Sequence, residues 1–303
     1  VETQTAERVT IGSYTTFPVP KEPKAREEHF ELLAATAIDM LAAELSKGYS
    51  EGFLKLLHYY ARYPTYSARN RLLIMLQRPE AYRVAGYVKW QSLGKQVEKG
   101  SKAIWVWSPL RKKQEDAVTG EMTDRIYGYK LSAVFADADL EDAKTNPLPT
   151  IWSPLPDDVQ PLVDRAIERL KDEGITVTYK PLKTGVQGTA TKDRITLSTK
   201  ISDSRHRLAS LLHESAHSMC HFGETAKGKT DGQIEAEAEG SCWVVLHCIG
   251  IPYSFSADYI RSHGITADQL RASLTVIGGI SRCLLKLVED EPNKELVDNN
   301  YAA

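Results

Sequence analysis

The chain has little cysteine and no CxxC pair: Cys220, Cys242, Cys248 and Cys283 all fall in its C-terminal half. Set among apolar residues, they give no disulfide framework and read as reduced core thiols of a cytoplasmic protein. It also lacks an excess of either charge. Thirty-eight Lys and Arg against 40 Asp and Glu leave a net charge of −2, so the molecule as a whole is no polycation and any nucleic-acid surface must be local. Long apolar runs are missing too. The best candidate, Leu274 to Val288, is interrupted by Gly278, Gly279, Arg282 and Lys286, and the polar start offers no signal peptide. No membrane partner is therefore expected. Internal repeats and low-complexity tracts are absent as well.

What remains is an ordinary globular composition, 42% apolar and 26% charged, over a length of 303 residues that favours two domains. Residues 1–24 lack periodicity and read as a mobile arm. Helical spacing predicts helices over Ala25–Ser46, Phe53–Tyr63 and Ser67–Gln77, the last two stopping before Pro64 and Pro79. The period then changes to two. Val84, Gly86, Val88 and Trp90, then Ala103–Trp107 and Tyr127–Phe135, are expected strands, with a hairpin tip over Arg111–Arg125. Residues 25–136 form the expected first domain. The Asp-, Glu- and Pro-rich residues 137–158 read as a linker, and 159–303 as a second domain. In that second domain Val159–Glu173 is an expected helix. Thr176–Lys180 and Arg194–Ser198 are strands around a Gly185–Gly188 loop. A helix beginning near Asp203 or Ser204 and another over Gln233–Ile249 complete an α+β chain.

The penultimate helix carries the chemistry. His213-Glu214-Ser215-Ala216-His217 lies among Leu208, Leu211, Leu212 and Met219 at helical spacing. Imidazoles four residues apart share a helix face and can address one metal ion, while Glu214 sits nearby as a general base for a metal-bound water. Zinc suits this donor set, although another divalent metal is possible. A third ligand is needed. Glu235 and Glu239 lie one turn apart on the following helix, with Glu237 rotated by about half a turn. Glu235 is the expected ligand, and Glu239 the carboxylate accepting a ligand His N–H. His221 repeats the four-residue spacing and reads as a helix C-terminal cation. Tyr253, Tyr259 and His263 are further candidates for stabilising an oxyanion, though packing suits each of them as well.

Between Arg83 and Lys113 stand Lys89, Lys95, Lys99, Lys102, Arg111 and Lys112 against the single acid Glu98, interleaved with Tyr82, Tyr87, Trp90, Trp105 and Trp107. Cations that follow phosphates and rings that stack on bases fit single-stranded DNA; a basic face over a Trp core fits the same pattern. The run Ser67-x-x-Asn70-x-x-Leu73-x-x-x-Gln77-x-Pro79, followed by Val84-x-Gly86-Tyr87-x-x-Trp90-x-x-Leu93-Gly94-x-x-Val97-x-Lys99-Gly100-x-Lys102-x-Ile104, resembles the N-terminal domain of the ArdC antirestriction family. The second half resembles that family's zincin-like metallopeptidase domain through His213-Glu214-x-x-His217 and Glu235-x-x-Ala238-Glu239. The latter pattern is similar to ImmA/IrrE-type peptidases too.

The resemblance implies an antirestriction protein of mobile DNA (plasmid or phage) that binds single-stranded DNA through Asn70, Gln77, Trp90, Lys95, Lys99, Lys102 and Trp107. It also implies a protein substrate, with the host restriction machinery as a candidate source. Two other readings stand beside the peptidase: a DNA-coating protein whose metal is only structural, and a peptidase that cleaves a regulatory protein.

Overall fold

A computed structural model describes residues 10–11, 14–15, 19–46, 51–63, 66–115, 122–145, 158–251 and 267–289. The chain divides into two compact units, one of residues 1–39, 65–149 and 295–303, the other of 40–64 and 150–294. A two-residue hairpin pairs β1 (Thr10–Ile11) with β2 (Tyr14–Thr15) in the stretch read as an arm.

In the first unit, α1 (Pro23–Ser46) contributes its N-terminal part, followed by α3 (Ala68–Gln77) capped by the Ser67 hydroxyl. A three-stranded antiparallel sheet has the order β3 (Val84–Gly86), β5 (Met122–Ala136), β4 (Ile104–Glu115). The expected strand through Trp90 ends at Gly86, where α4 (Tyr87–Ser92) begins. The alternation of Val88 and Trp90 arises from one exposed and one buried helix face: Val88 is 76% exposed and Trp90 1%. The expected hairpin tip is largely strand, since β4 and β5 pair as far as Glu115 and Met122.

Two side-chain amides complete the sheet. Asn70 donates from Nδ2 to Trp107 O and accepts from Trp107 N, at 2.7 and 2.8 Å. Gln77 does the same to Trp105, at 2.8 Å in both directions. α3 thus supplies the free edge of β4 with the pairing a neighbouring strand would provide. Below the sheet, Trp90 packs with Ala85, Val97 and Leu140 and donates from Nε1 to Phe135 O at 3.0 Å. The acids at the start of the expected linker are built into this unit. Asp139 pairs with Arg78 at 2.7 Å, and Asp142 with Lys95 at 2.7 Å. Partners distant in sequence make them structural, which composition does not reveal.

The second unit contains α2 (Glu51–Arg62), which the sequence reading grouped with the first domain. Its amphipathic face packs on α7 (Asp231–Cys248), where the Cys248 thiol meets Ala61 O at 3.0 Å, and Tyr60 donates to Leu274 O at 2.9 Å. α5 (Gln160–Asp172) and α8 (Ala267–Val288) pack against each other. A small sheet has the order β6 (Thr176–Lys180), β8 (Arg194–Ser198), β7 (Gly188–Ala190), with β6 parallel and β7 antiparallel to β8. β7 begins at Gly188, the last residue of the stretch read as a loop. It is an edge strand, as is β6, and packs against α6 (Ser204–Cys220). No helix among the described residues is long and apolar enough to cross a membrane.

Replacing Asn70 with Ala strands the Trp107 amide and carbonyl in a buried setting, so urea unfolding should show a loss of about 2–4 kcal/mol. A loss under about 0.5 kcal/mol would show that the edge pairing contributes nothing, because changes that small are typical of neutral surface substitutions.

Candidate metal centre

α6 starts where Asp203 accepts the His206 amide at 2.8 Å, and its buried face is Leu208, Leu211, Leu212 and Ala216. Ser218 donates to Lys192 O at 3.1 Å and ties the helix to the β7–β8 turn. α7 starts with a reciprocal Thr230–Gln233 capping box and packs on α6. The two helices present His213, His217 and His221 on one side and Glu239, Glu235 and Glu237 on the other.

Three donor atoms converge. His213 Nε2 and His217 Nε2 are 3.1 Å apart, and Glu235 Oε2 is 3.3 and 3.4 Å from them. Tetrahedral donors bound to one cation at about 2.0–2.1 Å lie about 3.3–3.4 Å from one another, so the triangle has the size of a divalent-metal face. These are the three ligands expected from the sequence, and among the described residues they form the cluster of His, Cys, Asp and Glu suited to one ion. Glu239 stands behind His213, its Oε2 3.2 Å from Nδ1. That contact puts the imidazole proton on Nδ1 and leaves Nε2 for a ligand.

Glu214 lines the same cleft with Gly188, Ala190, Phe222 and Ile234. Burial pushes its carboxyl upward, helped by the charge of Glu235 and opposed by the two histidines. Gly188 is required here by close approach: a Cβ would stand 2.6 Å from Glu214 Cγ. Sequence reasoning missed this contact, the only signal being a glycine between two expected strands. Burial lowers the His213 pKa, but hydrogen bonds to Glu235 and Glu239 outweigh it and hold the imidazolium up to about 10. The same contacts with His213 and His217 hold Glu235 well below the usual carboxylate range. His221 is buried, with one nitrogen on His217 and the other on Glu237, so it is not an exposed helix-end cation. Tyr253, Tyr259 and His263 lie outside the described residues.

The expected nucleic-acid residues divide. Asn70, Trp90, Lys95 and Trp107 are buried, and Gln77 is half-buried with its amide spent on Trp105. Lys99 and Lys102 are exposed on the connection between α4 and β4. The outer β4–β5 hairpin adds a surface that the sequence count, ending at Lys113, passed over. Its register sets Lys112 opposite Arg125 and Ser108 opposite Lys130. Tyr127 and Tyr129 are 67% and 52% exposed between them.

Residues 32–135 match the family model described as the N-terminal domain of anti-restriction factor ArdC. The chain is 25% identical over 288 residues to an uncharacterized protein of Bacillus anthracis, covering 81% of this chain and 47% of that one. It therefore spans about half the length of this curated relative. It is also similar in fold to the Mn(II)-bound crystal structure of the antirestriction ArdC protein from the R388 plasmid. There the TM-score is 0.53 at 16% identity, over 85% of this chain and 98% of that one. The metal-free structure of the same R388 protein gives a TM-score of 0.49 at 17% identity, over 88% and 97%.

A cation entering the triangle must displace the proton that His213 holds up to about pH 10. Lowering the pH fills that site with a proton. Apparent Zn(II) or Mn(II) affinity measured by calorimetry should therefore rise about tenfold per pH unit from pH 6 to 8.5. An affinity independent of pH would contradict this arrangement.

Proposed function

We propose, from the premise that this is an ArdC-type chain, that it acts in the cytoplasm as an antirestriction protein in which single-stranded DNA binding accompanies a divalent-metal hydrolase site. The observation that carries the hydrolase half is the convergence of His213, His217 and Glu235 with an unligated Glu214 in an open cleft. When bound there, a divalent cation supplies Lewis-acid polarisation and lowers the pKa of water. Zinc matches the donor set, and the Mn(II) of the R388 protein makes manganese the competing candidate.

The chain's own residues supply the rest. Glu214, its carboxyl raised by burial, takes a proton from the attacking water and returns it to the leaving amine. β7 pairs with β8 on one side only and lies along the cleft through Gly188 and Ala190, so an extended peptide adds there as a further strand. Glu239 keeps His213 oriented. The substrate in this reading is a protein segment that can adopt extended backbone. A host restriction component and a regulatory protein are the two candidate sources.

The alternative is a DNA-coating module with a structural metal. Such sites are closed by four protein ligands and have no use for a carboxylate beside them, so Glu214 favours the hydrolase. Glu214→Gln should keep metal affinity while lowering cleavage of labelled casein by about 10²–10⁴-fold. Equal activity in the variant would remove Glu214 from the chemistry. A metal-loaded wild type that cuts nothing while still binding DNA would favour the structural alternative.

Single-stranded DNA binding rests on the exposed cations Lys99, Lys102, Lys112, Arg125 and Lys130 with Tyr127 and Tyr129 beside them. On oligo(dT), Tyr129→Ala should cost about 1–3 kcal/mol with an unchanged salt dependence. Lys112→Ala should shallow the log–log salt slope by about 0.7. Full retention of affinity in both variants would take the hairpin out of the binding surface.

A further inference from the structure

We propose that His221 and Glu237 are positioning residues that fix His217 in the tautomer able to ligate a cation through Nε2. The inference rests on the metal-site reading above and adds two residues to it. His217 turns Nε2 toward His213 and Glu235, and ligation of a cation through that nitrogen requires its proton on Nδ1. That nitrogen faces His221 Nδ1 at 3.2 Å, and two N–H groups cannot face each other, so His221 Nδ1 must accept. The remaining His221 proton is then on Nε2, which donates to Glu237 Oε2 at 3.1 Å.

Glu237 is well suited to end this chain. Its carboxylate accepts from His221, Lys229 and Ser273, a buried acceptor with three donors around it. Lys229 Nζ lies 2.6 Å from Oε2 and Ser273 Oγ 3.0 Å from Oε1. Side-chain exposure is 1% for both His221 and Glu237, so water does not stand in for either partner. Both His221 nitrogens are spent, which rules it out as a ligand. The two ligand histidines are therefore oriented by different routes. His213 meets a carboxylate directly, whereas His217 reaches one through a second imidazole. Lys229 precedes α7 in the connection from α6, so the state of that connection is coupled to the ligand.

The test compares Zn(II) affinity by calorimetry for the full chain and its variants, with circular dichroism confirming the fold. His221→Ala should bind about 10–100-fold more weakly. An Asn side chain can put an acceptor where His Nδ1 was, while a Gln side chain reaches only the Nε2 position. His221→Asn should therefore recover most of the affinity and His221→Gln should not. Acting in series, the double variant His221→Ala/Glu237→Gln should bind no more weakly than His221→Ala. Nitrogen-15 spectra of the zinc-loaded wild type should show His217 protonated at Nδ1 and His221 at Nε2. Equal affinity in the Asn and Gln variants, or a His221 proton found on Nδ1, overturns the relay while leaving the metal site standing. A wild type that binds neither Zn(II) nor Mn(II) overturns both. If His221→Ala does not fold, the Asn and Gln pair decides.

Discussion

The second unit is organised by the need to pair buried charge. Three imidazoles at intervals of four residues, two on α6 and His221 at its C-terminal cap, meet three carboxylates on α7 at intervals of two: His213 meets Glu239, His217 meets Glu235 and His221 meets Glu237. An isolated ion in such surroundings costs several kcal/mol, so the helices hold this register only while the partners match. Their termini are fixed accordingly, by Asp203 and the β7–β8 turn for α6 and by the Thr230–Gln233 box for α7. Even the edge strand answers to this geometry, since Gly188 leaves room for Glu214.

Much of this was legible in the chain. Periodicity located α1, α3, α5, α6 and α7 to within a few residues, because each shows an apolar stripe and a stop or cap signal. Helical phase also separated Glu235 and Glu239 from Glu237. It could not say what Glu237 faces, because Lys229 lies in an irregular connection and Ser273 on a helix 36 residues away. His221 was visible as a repeat of the four-residue spacing, but its role depends on those same partners.

The first unit was harder to read, for one reason. Charge and ring counts treat Lys95, Trp90 and Trp107 as surface, whereas burial depends on partners such as Asp142 and Phe135 more than 40 residues away. Asn70 and Gln77 gave the same difficulty: polar residues on a helix look solvent-facing until the strand edge they serve is known. The Val84–Trp90 stretch misled because two residues of strand and two of helix can produce the same alternation. β7 escaped notice because three residues are too few for a period.

The two amides of α3 close β4 only around Trp105 and Trp107. Farther out, no described strand pairs with that edge of β4, which carries Arg111, Lys112 and Lys113. Cations on such a margin repel an identical margin on another copy, which keeps neighbouring chains from stitching together strand to strand. The outer hairpin is therefore constrained twice over. Any change that made it less basic would remove a guard against self-assembly, whatever else the hairpin contacts. A concentrated solution of the chain should owe part of its colloidal stability to those three side chains.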